Sequence, residues 1–453
     1  MFESLPGFRE FYPDQCAVRN HIFKHWKKAA ISHSFSEYDV PILEPLDLYI
    51  EKSGEEIIGQ LFNFKDKGGR DVALRPELTP SLARLIATRA ASLKKPLKWF
   101  CIGENFRYER PQKGRLRSHY QLNADIFGEL GASADAELIA LCIRALTIFG
   151  LKADDFVIRL SDRNIWVDYL AHFGINDKQS IEVLAVIDKL EREDREHSLK
   201  KLKTYFGKGT EDVFEKIETL ISLRTLEDFR SFILSQSLVD SNRCKIEARL
   251  VEWEKLFDHF NALQLTPYIQ IDFGIVRGLA YYTGFVFEAF EKSGKFRSLA
   301  GGGRYDHLVE KLGGPKLSAT GFGMGDVTLT DLLNEKELLP HINGTTSIYV
   351  IIGGEVERVK ALTSISYLRG QGYAVDYSFK NISYGKQFKL ANQSGAQLAL
   401  IYGAKEVSEN KVKIHDLSTG CESELPDNDG IGYIRLSYHH ELEYIGNRRM
   451  ERE

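Results

Sequence analysis

Residues 107–117 read Arg-Tyr-Glu-Arg-Pro-Gln-Lys-Gly-Arg-Leu-Arg, five cations and a single acid in a Pro/Gly-interrupted turn between two segments that read as strands. That density of positive charge marks an anion site. A carboxylate, an amide and a glycine sit among the cations, which suits the loop to hold a polyphosphate and a second polar partner together. Taken alone, a solvated basic loop would also account for it. Working outward, Leu-Arg-Pro-Glu-Leu-Thr-Pro fills 74–80, and Gln121 and Asp125 stand four apart in Tyr-Gln-Leu-Asn-Ala-Asp-Ile-Phe-Gly at 120–128.

The chain of 453 residues has a formal charge of −4. Any nucleic-acid surface must therefore be a local patch, which excludes a histone-like, purely electrostatic binder. The length predicts about three domains. Cys16, Cys101, Cys142, Cys244 and Cys421 are scattered and never form a C-x-x-C pair, so thiols and no zinc site are expected. The opening Met-Phe-Glu-Ser-Leu-Pro-Gly-Phe-Arg-Glu-Phe-Tyr-Pro puts acids and prolines where a signal peptide needs a basic end and an apolar core. No run approaches the ~18 apolar residues of a membrane span. A cytoplasmic protein that does not enter a membrane is expected.

From about residue 15, Ala17, Ile22, Trp26, Ala29 and Ile31 recur at helical spacing and lead to an extended, Pro41-bearing segment over 38–45. Residues 61–80 predict a hairpin with a turn at 66–70, where Gly68 and Gly69 supply permissive backbone. Leu82, Leu85, Ile86 and Arg89 predict a helix, and Trp-Phe-Cys-Ile-Gly at 99–103 a strand returning to the basic loop. Strand-turn-strand around one helix fits an antiparallel sheet. The stretch 177–260 is rich in charges of mixed sign, with a stripe of Leu250, Trp253, Leu256 and Phe260, and predicts a helical insertion with a solvated surface. From Ser347 strands and helices alternate as a compact α/β unit, and a polar tail runs from Tyr438.

Two more strings complete the pattern: Val-Arg-Gly-Leu-Ala-Tyr-Tyr-Thr-Gly-Phe-Val-Phe-Glu at 276–288 and Ala-Gly-Gly-Gly-Arg-Tyr-Asp at 300–306. By themselves the glycines at 301–303 read either as a turn with positive φ or as an anion nest. With the basic loop as motif 2, and the first helix and Pro41 segment as motif 1, residues 1 to roughly 425 resemble the histidyl-tRNA synthetases, which are class II aminoacyl-tRNA synthetases. The string at 276–288 resembles their histidine-specific signature and that at 300–306 its companion. Ser-Tyr-Gly-Lys-Gln-Phe-Lys-Leu-Ala-Asn at 383–392 resembles their anticodon-binding module.

The resemblance implies an α+β fold, the class II antiparallel sheet flanked by helices. Its catalytic domain would occupy 1–176 and 263–335, the helical insertion 177–262, and the anticodon-binding α/β domain with its tail 346–453. It further implies ATP with Mg²⁺, L-histidine and tRNA(His) as reaction partners, and a homodimer made through motif 1. Arg107 and Arg277 match the positions that hold the α-phosphate and the substrate carboxylate. Arginine suits them because it never deprotonates and offers a planar fork of donors where negative charge accumulates. Glu77, Thr79 and Gln121 match the α-amino pocket. Asp125 stands where the family usually has a glutamate facing the imidazole, and Tyr281, Tyr282 and Tyr305 match the aromatic hydroxyls of the slot. Without the motif, the paired tyrosines would read as core. Arg110 and Gln112 match contacts to the tRNA acceptor end. Glu109 would orient ATP or its magnesium, or else pair with Arg110.

The pattern breaks at motif 3, which usually ends Gly-x-Glu-Arg with the arginine on the γ-phosphate and adenine. Here Gly-Phe-Gly-Met-Gly-Asp-Val-Thr at 321–328 puts Thr328 in that arginine's place. His119 falls where an aromatic usually stacks on adenine, and Ala280 replaces an aspartate. Losing a charge-assisted phosphate contact would cost about 1.5–3 kcal/mol, which Arg115, Arg117 or Arg304 would offset. A divergent but active enzyme is expected. The alternatives are a synthetase-like regulatory subunit of ATP phosphoribosyltransferase, which generally lacks both the basic loop and the anticodon module, and a non-catalytic tRNA-sensing module.

Overall fold

The computed structural model describes residues 2–53, 55–112, 114–190, 193–236, 238, 240–276, 281–340 and 346–427. Their contacts form two compact units, Met1–Phe11 with Arg19–Leu339, and Tyr12–Val18 with Pro340–Glu453.

The first unit is built on eight strands: β1 (Ser36–Glu37), β2 (Leu97–Phe106), β3 (Ser118–Phe127), β4 (Phe156–Asp162), β5 (Ile269–Ile271), β6 (Phe285–Glu291), β7 (Ala300–Arg304) and β8 (Ala319–Gly325). Their order is β1-β2-β3-β8-β7-β6-β4-β5. The β1–β2 and β4–β5 pairs at the two edges are parallel and the rest antiparallel, as the alternation of strands and turns predicts. β2 and β3 flank the basic loop, with Phe106 opposite Ser118, so the loop is the tip of a long central hairpin.

Glycines 301–303 are neither a turn nor an anion nest. They lie within β7, between β6 and β8, and none has a positive φ among the described residues. Close approach of neighbouring strands is the reason for them. A Cβ on Gly302 would sit 2.2 Å from the Gly321 carbonyl oxygen, and one on Gly303 2.6 Å from that of Phe285.

The first helix, Pro13–Ser32, buries Ile22, His25, Trp26, Ala29 and Ala30. Ile31 is 56% exposed, because it falls off the stripe that residues 22, 26, 29 and 30 define at 3.6 residues per turn. Pro41 divides the segment expected to be one strand: β1 ends before it, and Leu43–Pro45 joins Asn63–Lys65 and Asp71–Leu74 in a separate three-stranded sheet. A proline has no N–H to give a ladder. In the turn of that hairpin only Gly69 takes a positive φ; Gly68 donates its N–H to Asp66 Oδ1 instead.

The helical stretch comprises Asp177–Ile187, Arg195–Phe206, Thr210–Ser222, Leu226–Ser235 and Asp240–Ala262. It belongs to the same compact unit as the sheet. Its last helix is tied to β4 by Asp162, which is fully buried and accepts from Arg249 Nε at 2.8 Å, Arg249 Nη2 at 2.5 Å and Trp253 Nε1 at 3.2 Å. The stripe of Leu250, Trp253, Leu256 and Phe260 is buried as its spacing predicts.

In the second unit β9 (Ile348–Ile352), β10 (Val375–Tyr377), β11 (Leu398–Tyr402), β12 (Lys411–Asp416) and β13 (Glu422–Pro426) are ordered β10-β9-β11-β12-β13. The helices Glu355–Gly370 and Tyr384–Gln393 belong to the same unit. Gln387 is buried and locks its helix to the sheet: its Oε1 accepts from the Ile352 N–H at 2.9 Å and its Nε2 donates to the Ile352 carbonyl at 2.8 Å. The tail from Tyr438 lies outside the described residues.

Candidate active site

A cavity of about 640 Å³ opens over β3, β7 and β8. Glu77 and Thr79 reach it from the start of the helix Thr79–Arg89, Arg107 from the end of β2, and Gln121 and Asn123 from β3. Gln121, Asn123 and Asp125 share one face because side chains alternate along a strand. The glycines of β8 leave room for them. A Cβ on Gly321 would lie 1.8 Å from Asp125 Oδ1, and one on Gly323 1.9 Å from Gln121 Nε2. Gln121 is oriented by donating to Asn123 Oδ1 at 2.7 Å and accepting from Asn105 at 3.5 Å.

Tyr281, Tyr282 and Tyr305 also line the cavity. They belong to a buried cluster with Leu82, Phe127 and Val286, so the core reading and the slot reading of these tyrosines hold together. Tyr281 and Tyr282 have ring centroids 4.7 Å apart, and Tyr281 meets Tyr305 edge-on at 5.9 Å. Asp125 stands one side chain behind this wall. Asp125 is 1% exposed and lies beneath the wall, and the Tyr305 hydroxyl donates to its Oδ1 at 2.5 Å. Burial first, and then this carboxylate, push the Tyr305 hydroxyl well above its ordinary range. It therefore stays protonated and keeps donating.

The basic loop divides its cations. Arg107 lines the cavity with its Nε fixed on the Pro76 carbonyl at 3.1 Å, which leaves the terminal nitrogens of the fork. A tight turn, with Gln112 N–H on the Arg115 carbonyl at 3.0 Å and Gly114 at φ +73°, brings Arg115 to the wall. Arg115 is paired with Glu109, so the partner of Glu109 is this arginine and not Arg110. Arg110 and Gln112 are exposed and do not line the cavity.

Two expected phosphate ligands are elsewhere. Arg117 donates to the Glu109 carbonyl at 3.2 Å and lies 4.7 Å from the centre of the Tyr108 ring. Arg304 is 6% exposed and bound to Asp135 at 2.5 Å, with further donation to the carbonyls of Glu129 at 3.0 Å and Gly131 at 3.2 Å. Its neighbour Tyr305 takes the cavity side, and alternation sends Arg304 to the other. A buried guanidinium needs just such partners.

His119 is two residues before Gln121 on the same face of β3. Burial first, and then Arg107, lower its pKa to about 3, so the ring is neutral. Thr328 lines the cavity from the helix Asp326–Glu335, and Arg277 lies outside the described residues. Sequence reading assigned no role to Asn123, Glu288, Phe290, Phe296, Arg297 or Ser298, all on the wall. Period-2 spacing between Gln121 and Asp125 could have found Asn123. The others precede or end quoted strings without any motif chemistry of their own.

Among the described residues no three His, Cys, Asp or Glu side chains converge as a metal site, and no helix is long and apolar enough to cross a membrane.

Two family models match the chain, histidyl-tRNA synthetase over residues 7–327 and anticodon binding domain over residues 348–435. A histidine–tRNA ligase of Opitutus terrae is 50% identical over 425 residues, covering 94% of this chain and 96% of its own. The chloroplastic/mitochondrial histidine–tRNA ligase of Arabidopsis thaliana is 36% identical over 423 residues, covering 93% and 85%. The fold is shared with a crystal structure of histidyl-tRNA synthetase from Nostoc sp. PCC 7120, with a TM-score of 0.78 at 23% identity over 96% of this chain and 99% of that one. It is also shared with an ATP phosphoribosyltransferase regulatory subunit/histidyl-tRNA synthetase from Bacillus halodurans, with a TM-score of 0.71 at 23% identity over 89% and 98%.

Proposed function

The chain belongs to the histidyl-tRNA synthetase family of class II aminoacyl-tRNA synthetases and ligates histidine to its tRNA, and from that premise we propose how the cavity activates L-histidine with ATP. The observation that carries the reading is the meeting, in one cavity, of an anchored Arg107 fork, the Glu77–Thr79–Gln121 group and a tyrosine wall backed by Asp125. Glu77 and the carbonyl oxygen of Gln121 accept the ammonium of histidine. Tyr305, held by Asp125, addresses the imidazole, and Tyr281 and Tyr282 close the slot. A site that hydrogen-bonds a polar side chain rejects analogues lacking it by about 10⁴–10⁵, so no editing step is needed.

In the first step a carboxylate oxygen of histidine bonds to the α-phosphorus, and the bond to pyrophosphate breaks. Arg107 and Arg277 neutralise the charge that builds on the non-bridging oxygens. Magnesium comes with the phosphates of ATP and screens them, and Glu288 on the cavity wall would supply one of its few protein ligands. In the second step the 3′-hydroxyl of the terminal adenosine of tRNA(His) attacks the adenylate, its end held by Arg110 and Gln112 while the C-terminal unit binds the anticodon. A cytoplasmic homodimer completes the proposal. The regulatory and sensing alternatives are not favoured, because the basic loop lines the cavity and the anticodon-domain match spans 348–435.

The test is ATP–pyrophosphate exchange. Exchange that depends on histidine at millimolar ATP is expected, and its absence would sink the reading. His119 gives a second check. It is expected to stack on adenine as a neutral ring, so His119→Phe keeps exchange within about threefold. The ordinary pKa is 6.5 and the folded one about 3. The unfolded chain therefore binds the proton first as pH falls below about 6.5, and stability is lost down to about pH 3. His119→Phe removes that loss, so its urea midpoint should hold up better than the parent's at pH 5 than at pH 7; equal shifts would contradict the burial of a neutral ring.

A further inference from the structure

Position 328 carries no cation, and the candidates to replace it are occupied: Arg115 by Glu109, Arg117 by the Glu109 carbonyl and Tyr108, Arg304 by Asp135. We propose that Arg297, on the loop between β6 and β7, supplies the missing charge by binding the β- and γ-phosphates of ATP and the departing pyrophosphate. This rests on the reading above and extends it to a residue outside every quoted motif.

Three observations carry the proposal. Arg297 lines the cavity together with Thr328, and both converge on the tip of the basic loop: a Cβ placed on Gly114 would meet Arg297 Cδ at 3.4 Å and Thr328 Oγ1 at 3.7 Å. The side chain from the β6–β7 loop thus reaches the spot that an arginine at 328 would fill from the helix. Second, Arg297 is exposed and, among the described residues, no hydrogen bond or ion pair holds its guanidinium. Arg107 is anchored through its Nε and serves the α-phosphate, so Arg297 is the further cavity-lining guanidinium at hand, and its planar fork suits paired phosphate oxygens. Third, the backbone beneath it is fixed. Leu299 N–H donates to the Ala289 carbonyl at 2.8 Å, and the Ser298 hydroxyl to the Ala300 carbonyl at 2.8 Å. The charge can swing onto a ligand without the loop having to order.

When the bond from the α-phosphorus to the bridging oxygen breaks, its electron pair stays on that oxygen and pyrophosphate gains one negative charge, which a fixed cation at this end stabilises.

Arg297→Ala is tested in ATP–pyrophosphate exchange with L-histidine and Mg-ATP, alongside Arg297→Lys. Since the side chain is exposed, both variants should melt with the parent. The alanine variant is expected to raise KM for ATP by about 10- to 100-fold while KM for histidine stays within about twofold, and lysine should recover at least half of that loss on a logarithmic scale. The proposal is overturned if KM for ATP moves less than about threefold, if both KM values rise together, or if lysine is no better than alanine. A parent without histidine-dependent exchange overturns the underlying reading as well; an active parent with an indifferent Arg297→Ala overturns this inference alone.

Discussion

Arg107→Ala lowers kcat for histidine-dependent ATP–pyrophosphate exchange by about 100- to 1,000-fold, the loss that follows removal of one preorganised donor to a developing oxyanion. Two features of its setting make the effect large. Its Nε is held by the Pro76 carbonyl at 3.1 Å and its own N–H by the Arg117 carbonyl at 2.8 Å, so the fork is aimed before substrate arrives. It also stands on a wall shared with Glu77, Thr79 and Gln121, the place where the proposed mechanism joins the substrate carboxylate to the α-phosphorus. Neutralising this spot costs no reorganisation during the reaction, unlike neutralisation by water. Because the change affects the transition state more than the bound substrates, kcat should fall much further than KM for histidine rises. Arg107→Lys should recover little, since an ammonium cannot keep both the Pro76 carbonyl and a bidentate oxygen pair. A loss below tenfold, in the range of a surface ion pair worth about 0–1 kcal/mol, would remove Arg107 from the chemistry.

The elements that carry this site were legible from local sequence, and the roles of its residues only through the family resemblance. The loop at 107–117, its hairpin strands and the start of the helix at Thr79 need only turn chemistry and periodicity, and the structure brings Glu77, Thr79, Arg107 and Gln121 to one cavity. What was not legible depends on neighbours far away in the chain. Arg304 and Tyr305 are adjacent in one string, yet alternation turns one to Asp135 and the other to Asp125, and nothing local says which faces the cavity. The glycines at 301–303 looked like a loop because the strands that crowd them, 285–291 and 319–325, come from elsewhere in sequence. Arg297 was invisible for the same reason. Its importance comes from lying against Gly114 and Thr328, which are distant from it along the chain. The helical stretch from Asp177 reads as an insertion, and what ties its last helix to β4, buried Asp162 under Arg249 and Trp253, has no local signal in either segment.

Gly321→Ala should be among the most damaging single methyl groups that can be added to this chain. The position is extended and needs no special φ, so the effect is purely one of space. The new Cβ would lie 1.8 Å from Asp125 Oδ1 and 2.7 Å from its Cγ, where a normal contact exceeds 3.4 Å. Asp125 cannot step aside easily. It is 1% exposed, it sits directly opposite residue 321 in the β3–β8 ladder, and its Oδ1 takes the Tyr305 hydroxyl at 2.5 Å. Either the strands part or the carboxylate leaves Tyr305. The first outcome costs about 1–3 kcal/mol for overpacking and the second about 1.5–3 kcal/mol for a broken charge-assisted hydrogen bond, so the variant should be about 1–3 kcal/mol less stable than the parent. The surviving folded enzyme should bind histidine at least tenfold more weakly, with KM for ATP nearly unchanged, because the displaced pair backs the side of the cavity proposed to take the imidazole. Gly370→Ala, whose added methyl meets nothing within 4 Å at the end of a helix, serves as the control and should unfold no sooner than the parent. If Gly321→Ala also unfolds with the parent, or weakens ATP as much as histidine, then Asp125 and Tyr305 do not act as the coupled support of the imidazole that the glycine makes room for.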